Sequence, residues 1–380
     1  TCEETCPIDA VTHNDDNYVV DAAKCNYCMD CISPCPTGAI DNWRVVLEAY
    51  SVDDQFSWDE LPGQEELESD DAATTGGAVE SLEEEIDRLL AEAHKGVGGR
   101  SVAPASASKP SVNVFSRARP ATAVVQGNFR LTGEETDSDV RHLILDLGEQ
   151  VFPVLEGQSV GIIPPGTGNN GKPHNVRLYS VASPRDGERA NTNNLALTVK
   201  REEHGLCSNY ACDLKRGDTV QLTGPFGATF LMPDDPSANI VMICTGTGSA
   251  PFRAFTMRRQ RSSPNGDGHL FLYFGARTPD TLPYFGPLKR VPEGLMTQRL
   301  VYSRVPGQPK TYVQDQLKKD ADLLRPCIGE EKTYVFVCGL KGMEDGVEAA
   351  LNEICAGAGI DWPQLRQRMR EEGRFHIETY

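Results

Sequence analysis

The sequence has no excess of positive charge and no apolar run long enough to span a membrane. Its 380 residues include 37 Lys and Arg against 55 Asp and Glu, which gives a formal net charge of −18. This balance argues against nucleic acid and against an anionic membrane surface as partners. No signal peptide is visible, so we expect a cytoplasmic protein.

The negative charge is concentrated in one segment. Residues 48–94 hold sixteen Asp and Glu and a single basic residue, Arg88, so the rest of the chain is close to neutral. From this composition we predict a disordered, flexible acidic linker over residues 45–119. Apolar residues at helical spacing over 79–93 predict one short amphipathic helix within it. Either the linker is a solvated spacer, or this helix docks on another part of the protein or on a partner.

Cysteine is unevenly distributed, because six of the twelve lie in the first 35 residues. The run Cys25-x2-Cys28-x2-Cys31-x3-Cys35-Pro36 has the spacing of bacterial ferredoxins, whose thiolates wrap a cube of iron and sulfide. Upstream, Cys2-x3-Cys6-Pro7 repeats the end of such a run. We therefore predict [4Fe–4S] clusters as cofactors, since zinc or disulfides suit so dense a run less well.

The six N-terminal cysteines are the candidate metal ligands: Cys2, Cys6, Cys25, Cys28, Cys31 and Cys35. In two-cluster ferredoxins the fourth cysteine of each run ligates the other cluster. One cluster is then complete with Cys6 and the first three cysteines of the later run. The second cluster, with Cys2 and Cys35, needs two ligands upstream of Thr1, so we expect a short N-terminal piece to be missing. These features predict an α+β ferredoxin module over residues 1–44.

Residues 120–236 alternate short apolar runs with turn signals, which predicts an antiparallel β-barrel. Within this region, Arg177 and Tyr179 point to the same face of a strand. The Arg can then hold a phosphate while the Tyr lies against an aromatic ring, and Ser180 adds a hydroxyl nearby. Residues 205–208 could open a helix whose N–H groups face a pyrophosphate. Within that stretch, Cys207 taken alone is better explained as a buried core thiol.

Residues 237–380 alternate strands and helices, which predicts a doubly wound α/β domain with a parallel sheet. A buried-strand run over 240–244 leads into the Gly-rich turn Thr245-Gly246-Thr247-Gly248 and then a helix, a geometry that binds phosphate. Later, Ser303, Arg304 and Lys310 offer donors for the 2′-phosphate of NADP, although a solvated basic turn is the alternative.

The motifs of residues 120–380 together resemble the plant-type ferredoxin–NADP reductases. The resemblance rests on residues 171–183, 197–201, 205–214, 224–227, 245–253, 337–344 and 375–380. The sequence departs from that family at 282–288 and in its N-terminal parts. The resemblance implies FAD and NADPH as cofactors, bound by Arg177, Tyr179, Ser180, Val199, Lys200, Gly205, Leu206, Cys207, Ser208, Thr247, Gly248, Ser303, Arg304, Lys310, Tyr312, Gln314, Gly339, Leu340 and Tyr380.

The resemblance also implies four catalytic residues around the flavin and the nicotinamide. Ser180 and Glu378 would shape hydrogen bonding at the reacting edge of the flavin, and Cys338 would place the nicotinamide. Tyr380, the last residue given, would cover the flavin ring and move aside for NADPH. The expected fold is therefore multidomain: a ferredoxin module, an acidic tether, a β-barrel FAD domain and a doubly wound NADP domain.

The expected function is electron transfer from NADPH to FAD, then to the [4Fe–4S] clusters, and from them to an acceptor. A two-cluster ferredoxin, an acidic tether and a plant-type reductase in this order resemble the reductase components of oxygenase systems. That resemblance implies a separate di-iron oxygenase as the acceptor. The alternatives are a ferredoxin–NADP reductase fused to its own ferredoxin and serving another acceptor, or a non-catalytic adaptor that binds clusters.

Overall fold

The computed structural model describes residues 3–6, 8–15, 17–25, 31, 50–59, 101–168, 171 and 173–380. The helix predicted over 79–93, and the predicted ligands Cys2, Cys28 and Cys35, lie outside these residues. Within them, no helix combines the length and the apolar character needed to cross a bilayer.

In the N-terminal module, strands β1 (Val11–His13) and β2 (Tyr18–Val20) form an antiparallel hairpin. Helix α1 (Val52–Phe56) packs against it, because the Gln55 amide accepts from the Val20 N–H at 3.2 Å and donates to the Val20 carbonyl at 2.8 Å. Residues 50–58 therefore pack with the hairpin, beyond the predicted module end at 44.

The barrel is a six-stranded antiparallel sheet with the order β6-β5-β8-β3-β4-β7. An isolated bridge between Val181 and Leu197 joins its two end strands and closes it. Alternate side chains of β3 are buried, as expected for a half-buried strand. The strands are β3 (Ala121–Arg130), β4 (Val140–Asp146), β5 (Ser159–Ile163), β6 (Arg177–Ser180), β7 (Asn194–Lys200) and β8 (Thr219–Phe226), with helix α2 (Leu206–Asp213) after β7.

The C-terminal domain is a parallel five-stranded sheet with the order β11-β10-β9-β12-β13. Its helices cover both faces, with α3 on one side and α5 to α8 on the other. Its strands are β9 (Asn239–Thr245), β10 (Leu270–Ala276), β11 (Met296–Tyr302), β12 (Thr333–Gly339) and β13 (Phe375–Thr379). Its helices are α3 (Ser249–Ser262), α4 (Phe285–Leu288), α5 (Val313–Lys319), α6 (Ala321–Ile328), α7 (Glu344–Ala356) and α8 (Trp362–Glu371).

Residues 101–117, which we call the strap, cross the surface of both the barrel and the C-terminal domain. At its start the Ser101 hydroxyl donates to the Arg370 carbonyl at 3.3 Å, and the Ala103 carbonyl lies so close to Gly373 that a Cβ there would be 2.3 Å away. At its end Phe115 bridges Gly224, and Arg117 donates to the His174 carbonyl at 2.6 Å.

A buried ionic network holds the middle of the strap. The Ser108 N–H and hydroxyl both donate to Asp234, at 2.9 and 2.5 Å, and Arg185 donates to the Ser108 hydroxyl at 2.7 Å. Arg185 also pairs with Asp234 and with the buried Glu156. The structure therefore differs from the predicted flexible linker at 101–117, because the Ser108 N–H and hydroxyl are bonded to buried charged groups that would lose these partners if the strap detached.

Candidate functional site

A cleft of about 670 Å³ lies where the barrel meets the NADP-type domain, within the size range of cofactor sites. Strands β6 and β7 and the start of α2 form one wall. The Gly-rich turn after β9 and the end of β13 form the other. The predicted residues that line this cleft are Arg177, Tyr179, Ser180, Lys200, Gly205, Leu206, Cys207, Ser208, Thr247, Glu378 and Tyr380.

On the barrel wall, Arg177 is exposed and Tyr179 is partly buried, two residues apart on the same face of β6. Burial and the adjacent Cys207 thiol raise the pKa of Tyr179, so its phenol stays neutral and its ring is available for stacking. Burial likewise raises the pKa of Cys207, which favours the protonated thiol. Strand β6 therefore presents one cation and one neutral aromatic ring to the cleft.

The start of α2 is shaped by Gly205 and Ser208. The Ser208 hydroxyl accepts from the Glu202 N–H and donates to the Gly205 carbonyl, both at 3.1 Å. A Cβ at position 205 would lie 2.3 Å from that hydroxyl, so glycine permits the tight turn. The first N–H groups of a helix have no partner within it, and these fit a pyrophosphate.

Two predicted cofactor residues of β7 have different positions. Lys200 lines the cleft and pairs at its exposed end with Glu202 at 2.6 Å. The Val199 side chain packs instead in the barrel core and does not line the cleft, which differs from the predicted contact with the cofactor. Alternation along β7 explains the difference, because neighbouring residues of a strand face opposite sides.

The end of the chain brings three predicted catalytic residues together. The Ser180 hydroxyl donates to Glu378 Oε1 at 3.3 Å, and the Tyr380 hydroxyl lies 2.6 Å from Thr247 Oγ1. Burial raises the pKa of Glu378 to about 7, although the hydrogen bond from Ser180 opposes this shift. Tyr380 is 56% exposed, so its ring covers the cleft from the solvent side.

Cys338 is placed differently from the prediction. It lies beside Glu378 in the β12–β13 register but is 0% exposed and does not line the cleft. Gly248 covers this strand end, because a Cβ there would lie 2.2 Å from the Cys338 carbonyl oxygen. The Cys338 thiol is therefore buried beside Glu378, and its role towards the nicotinamide stays a prediction.

The predicted residues for the 2′-phosphate lie outside the cleft, beyond the end of β11. The Ser303 and Arg304 N–H groups donate to carbonyls of residues 276 and 277, which continues the β10–β11 edge. Arg304, Lys310 and Tyr312 are exposed. Gln314 packs against Gly346.

Gly339 and Leu340 lie elsewhere, at the end of β12 and directly after it. There the Leu340 N–H donates to Thr245 Oγ1 at 3.2 Å.

Sequence reasoning missed a group that joins the two domains. The Tyr284 hydroxyl lies 2.6 Å from the hydroxyl of Thr198, which lines the cleft, and 3.0 Å from Nδ1 of His142. Tyr284 falls in the stretch 282–288, where the sequence departs from the plant-type pattern. That departure is the only sequence signal that could have drawn attention to it.

In the ferredoxin module, Cys6 and Cys31 pack in one cluster with Val11 and Val20. The Cys6 sulfur accepts a hydrogen bond from the Ala10 N–H at 3.2 Å. Amide N–H donors and apolar surroundings are features that stabilise iron–sulfur thiolates, so these residues fit the predicted cluster. In the part of the chain described, no three His, Cys, Asp or Glu side chains group as metal ligands, with three of the six predicted cysteines outside that part.

Three protein-family models match this chain. A 4Fe-4S binding domain matches residues 18–41, an oxidoreductase FAD-binding domain matches 131–230, and an oxidoreductase NAD-binding domain matches 242–349. The barrel, the cleft and the parallel sheet thus define a flavin- and nicotinamide-dependent oxidoreductase with an iron–sulfur module.

Similar proteins identify the family. The cyanelle ferredoxin–NADP reductase of Cyanophora paradoxa is 40% identical over 288 residues, which cover 71% of this chain and 79% of the relative. That of Spirulina sp. is 37% identical, covering 71% and 98%. A reductase structure from Plasmodium falciparum has a TM-score of 0.55 at 24% identity, covering 71% and 99%.

The chain belongs to the ferredoxin–NADP reductase family and carries a ferredoxin domain in addition. It is an NADPH-dependent oxidoreductase that uses FAD, NADPH and an iron–sulfur cluster. These findings confirm the predicted reductase fold, enzyme class and cofactors.

Proposed function

We propose that this chain is the reductase component of a benzoyl-CoA oxygenase (2,3-epoxidase) system. It passes electrons from NADPH through FAD and [4Fe–4S] clusters to a separate di-iron oxygenase that epoxidises benzoyl-CoA in aerobic benzoate degradation. The observation that carries this proposal is the fusion itself, with a 4Fe-4S match at 18–41 ahead of the reductase domains in one chain. A reductase with its own cluster module can deliver single electrons to a large acceptor.

The cleft residues take the following roles in this proposal. Arg177, Tyr179, Lys200 and the start of α2 hold FAD, which when bound accepts a hydride and releases single electrons. The Gly-rich turn with Gly339 and Leu340 holds the NADPH pyrophosphate. Ser303, Arg304 and Lys310 bind the 2′-phosphate, with Tyr312 and Gln314 close by in the sequence; of these five residues Arg304, Lys310 and Tyr312 are exposed.

The chain's own residues also order and shield the site. Tyr380 covers the cleft and must leave Thr247 before a nicotinamide can enter. The Ser180 hydroxyl donates a hydrogen bond to the Glu378 carboxyl, which orients these two polar groups at the reacting edge.

A second candidate is a ferredoxin–NADP reductase fused to its own ferredoxin that serves another acceptor. The names of the similar proteins favour it, because those reported above are ferredoxin–NADP reductases.

The two candidates separate in an NADPH oxidation assay with anaerobically purified, cluster-loaded full-length protein. We expect oxidation of NADPH coupled to oxygen consumption and product formation only when the di-iron oxygenase and benzoyl-CoA are both present. Omission of each component, and acetyl-CoA in place of benzoyl-CoA, are the controls. Reduction of cytochrome c without any transfer to the oxygenase would reject the first candidate and retain the second.

A further inference from the structure

The loop after β10 places Tyr284 of the NADP domain inside the barrel wall. Tyr284 has a φ of 62°, in the left-handed region that non-glycine residues avoid, and it is 5% exposed. Its hydroxyl is shared between Thr198 of β7 at 2.6 Å and His142 of β4 at 3.0 Å. A strained backbone persists where surrounding contacts enforce it, so this loop conformation is held by the barrel.

A second contact lies beside the first. Arg253 of α3 donates through Nη1 to the Ala182 carbonyl at 2.7 Å and pairs with Glu188 through two hydrogen bonds of 2.8 and 2.5 Å. Bidentate Arg–carboxylate pairs fix geometry as well as charge. Arg253 is therefore fixed in two directions against the barrel.

The two contacts are joined into one closed group. The Arg253 guanidinium lies 5.0 Å from the centre of the Tyr284 ring, and His142 Nε2 lies 3.3 Å from Glu188 Oε1. Burial alone would raise the pKa of Glu188, but the nearby His142 ring and the two hydrogen bonds from Arg253 lower it to about 2. Glu188 is thus a carboxylate at neutral pH, and the group is a buried, mutually supporting network.

The position of this group relates it to the reaction. Arg253 lies in α3, which starts directly after the Gly-rich turn that contains Thr247 and Gly248. Thr198 lines the opposite, flavin-binding wall of the cleft. Hydride transfer requires the reacting atoms to be about 3–3.5 Å apart, and a misplacement of about 1 Å can cost 100-fold in rate.

We propose that Tyr284 and Arg253 form a latch, together with Thr198, His142 and Glu188, that positions the nucleotide-binding turn against the flavin wall. Tyr284 is a positioning residue for hydride transfer, since it acts through Thr198 and through the placement of α3. The proposal rests on the reductase activity of the family and not on the identity of the electron acceptor.

The test is Tyr284→Phe in the full-length holoprotein, which removes only the hydroxyl. We expect the rate of flavin reduction by NADPH, measured by stopped flow, to fall about ten-fold, whereas the Kd of NADP⁺ changes less than about two-fold. A primary isotope effect with deuterated NADPH should become larger as the hydride step becomes limiting. An unchanged rate and isotope effect would overturn the proposal.

Matched variants separate positioning from stability. Tyr273→Phe changes a tyrosine in the core on the other side of the NADP sheet and should leave flavin reduction unchanged. Thr198→Ser should retain most of the rate, and Thr198→Val combined with Tyr284→Phe should be no slower than the slower single variant. If Tyr284→Phe does not fold, Arg253→Lys tests the second contact with the same readouts. If every variant lost flavin-reduction rate in proportion to its loss of thermal stability, the positioning role would be contradicted.

Discussion

The hydroxyl of Ser180 lies 3.3 Å from Oε1 of Glu378, so the last strand of the NADP domain is hydrogen-bonded to the flavin strand of the barrel. Glu378 is nearly covered, and burial raises the pKa of its carboxyl from 4.5 to about 7. The folded protein therefore binds this proton more tightly than the unfolded chain does.

We predict that this proton makes the stability of the reductase depend on pH. The contribution of Glu378 is full below about pH 4.5 and is lost as the pH rises through about 7, by about 3 kcal/mol at most. Relative to the wild type, Glu378→Gln should therefore gain thermal stability steadily between pH 5 and 8. Glu371→Gln, at an exposed helix end, should follow the wild type at every pH. Parallel curves of thermal stability against pH for the wild type and Glu378→Gln would contradict the assignment of this pH dependence to Glu378.

We predict that Tyr380→Ser strengthens NADP⁺ binding and increases the use of NADH. The Tyr380 ring covers the cleft from the solvent side, and a nicotinamide has to displace it. Removal of the ring lowers that cost, so the Kd of NADP⁺ should decrease about ten-fold if a buried aromatic contact is lost. Tyr380→Phe retains the ring and loses only the contact with Thr247, so it should resemble the wild type in a spectroscopic titration. No difference between the two variants would exclude a covering role for the ring.

We predict that Gly248→Ala loses NADPH binding and keeps its flavin. The new Cβ would lie 2.2 Å from the Cys338 carbonyl and 2.8 Å from the Gly339 Cα, which are backbone atoms that cannot move aside cheaply. The Gly-rich turn must then shift, and we expect the KM of NADPH to rise at least about ten-fold. Gly342→Ala, where a Cβ meets nothing within 4 Å, is the matched control. Retained NADPH affinity in Gly248→Ala would show that the turn can shift without loss of binding.

We predict that Ser108→Ala destabilises the reductase by about 1–3 kcal/mol, because it leaves Asp234 and Arg185 buried with fewer partners. The control is Ser106→Ala, two residues away in the strap. The Ser106 hydroxyl is buried and has no hydrogen-bond partner among the described residues, so its loss should be nearly neutral. Thermal unfolding of both variants measures the difference, and equal values would remove the strap network as a source of stability.

The parts of the site that could be predicted from the sequence are contiguous. Arg177 to Ser180, the Gly-rich turn and the cysteine run each place their chemistry within a few residues, so each can be compared with known family motifs. The order of the domains could also be predicted, because the barrel pattern and the strand–helix alternation are each local to one part of the sequence.

The parts that could not be predicted depend on long-range packing. Tyr284 meets Thr198 across 86 residues of sequence, and Ser108 meets Asp234 across 126. Periodicity cannot show which strand face a given wall of the cleft uses. The family resemblance assigns Val199 and Cys338 to the cofactor, but both side chains are buried in the structure. The strap has a loop-like composition, and only its buried partners reveal that it is ordered.

The strap begins next to the last strand of the NADP domain. The Ser101 hydroxyl and the Val102 N–H both donate to the Arg370 carbonyl, and the Arg370 guanidinium lies 5.2 Å from the ring of Phe375 at the start of β13. Tyr380, at the cleft, follows the other end of that strand, roughly 17 Å away at the usual rise of a strand. The chain that precedes Ser101 therefore joins the NADP domain at the end of β13 opposite the cleft.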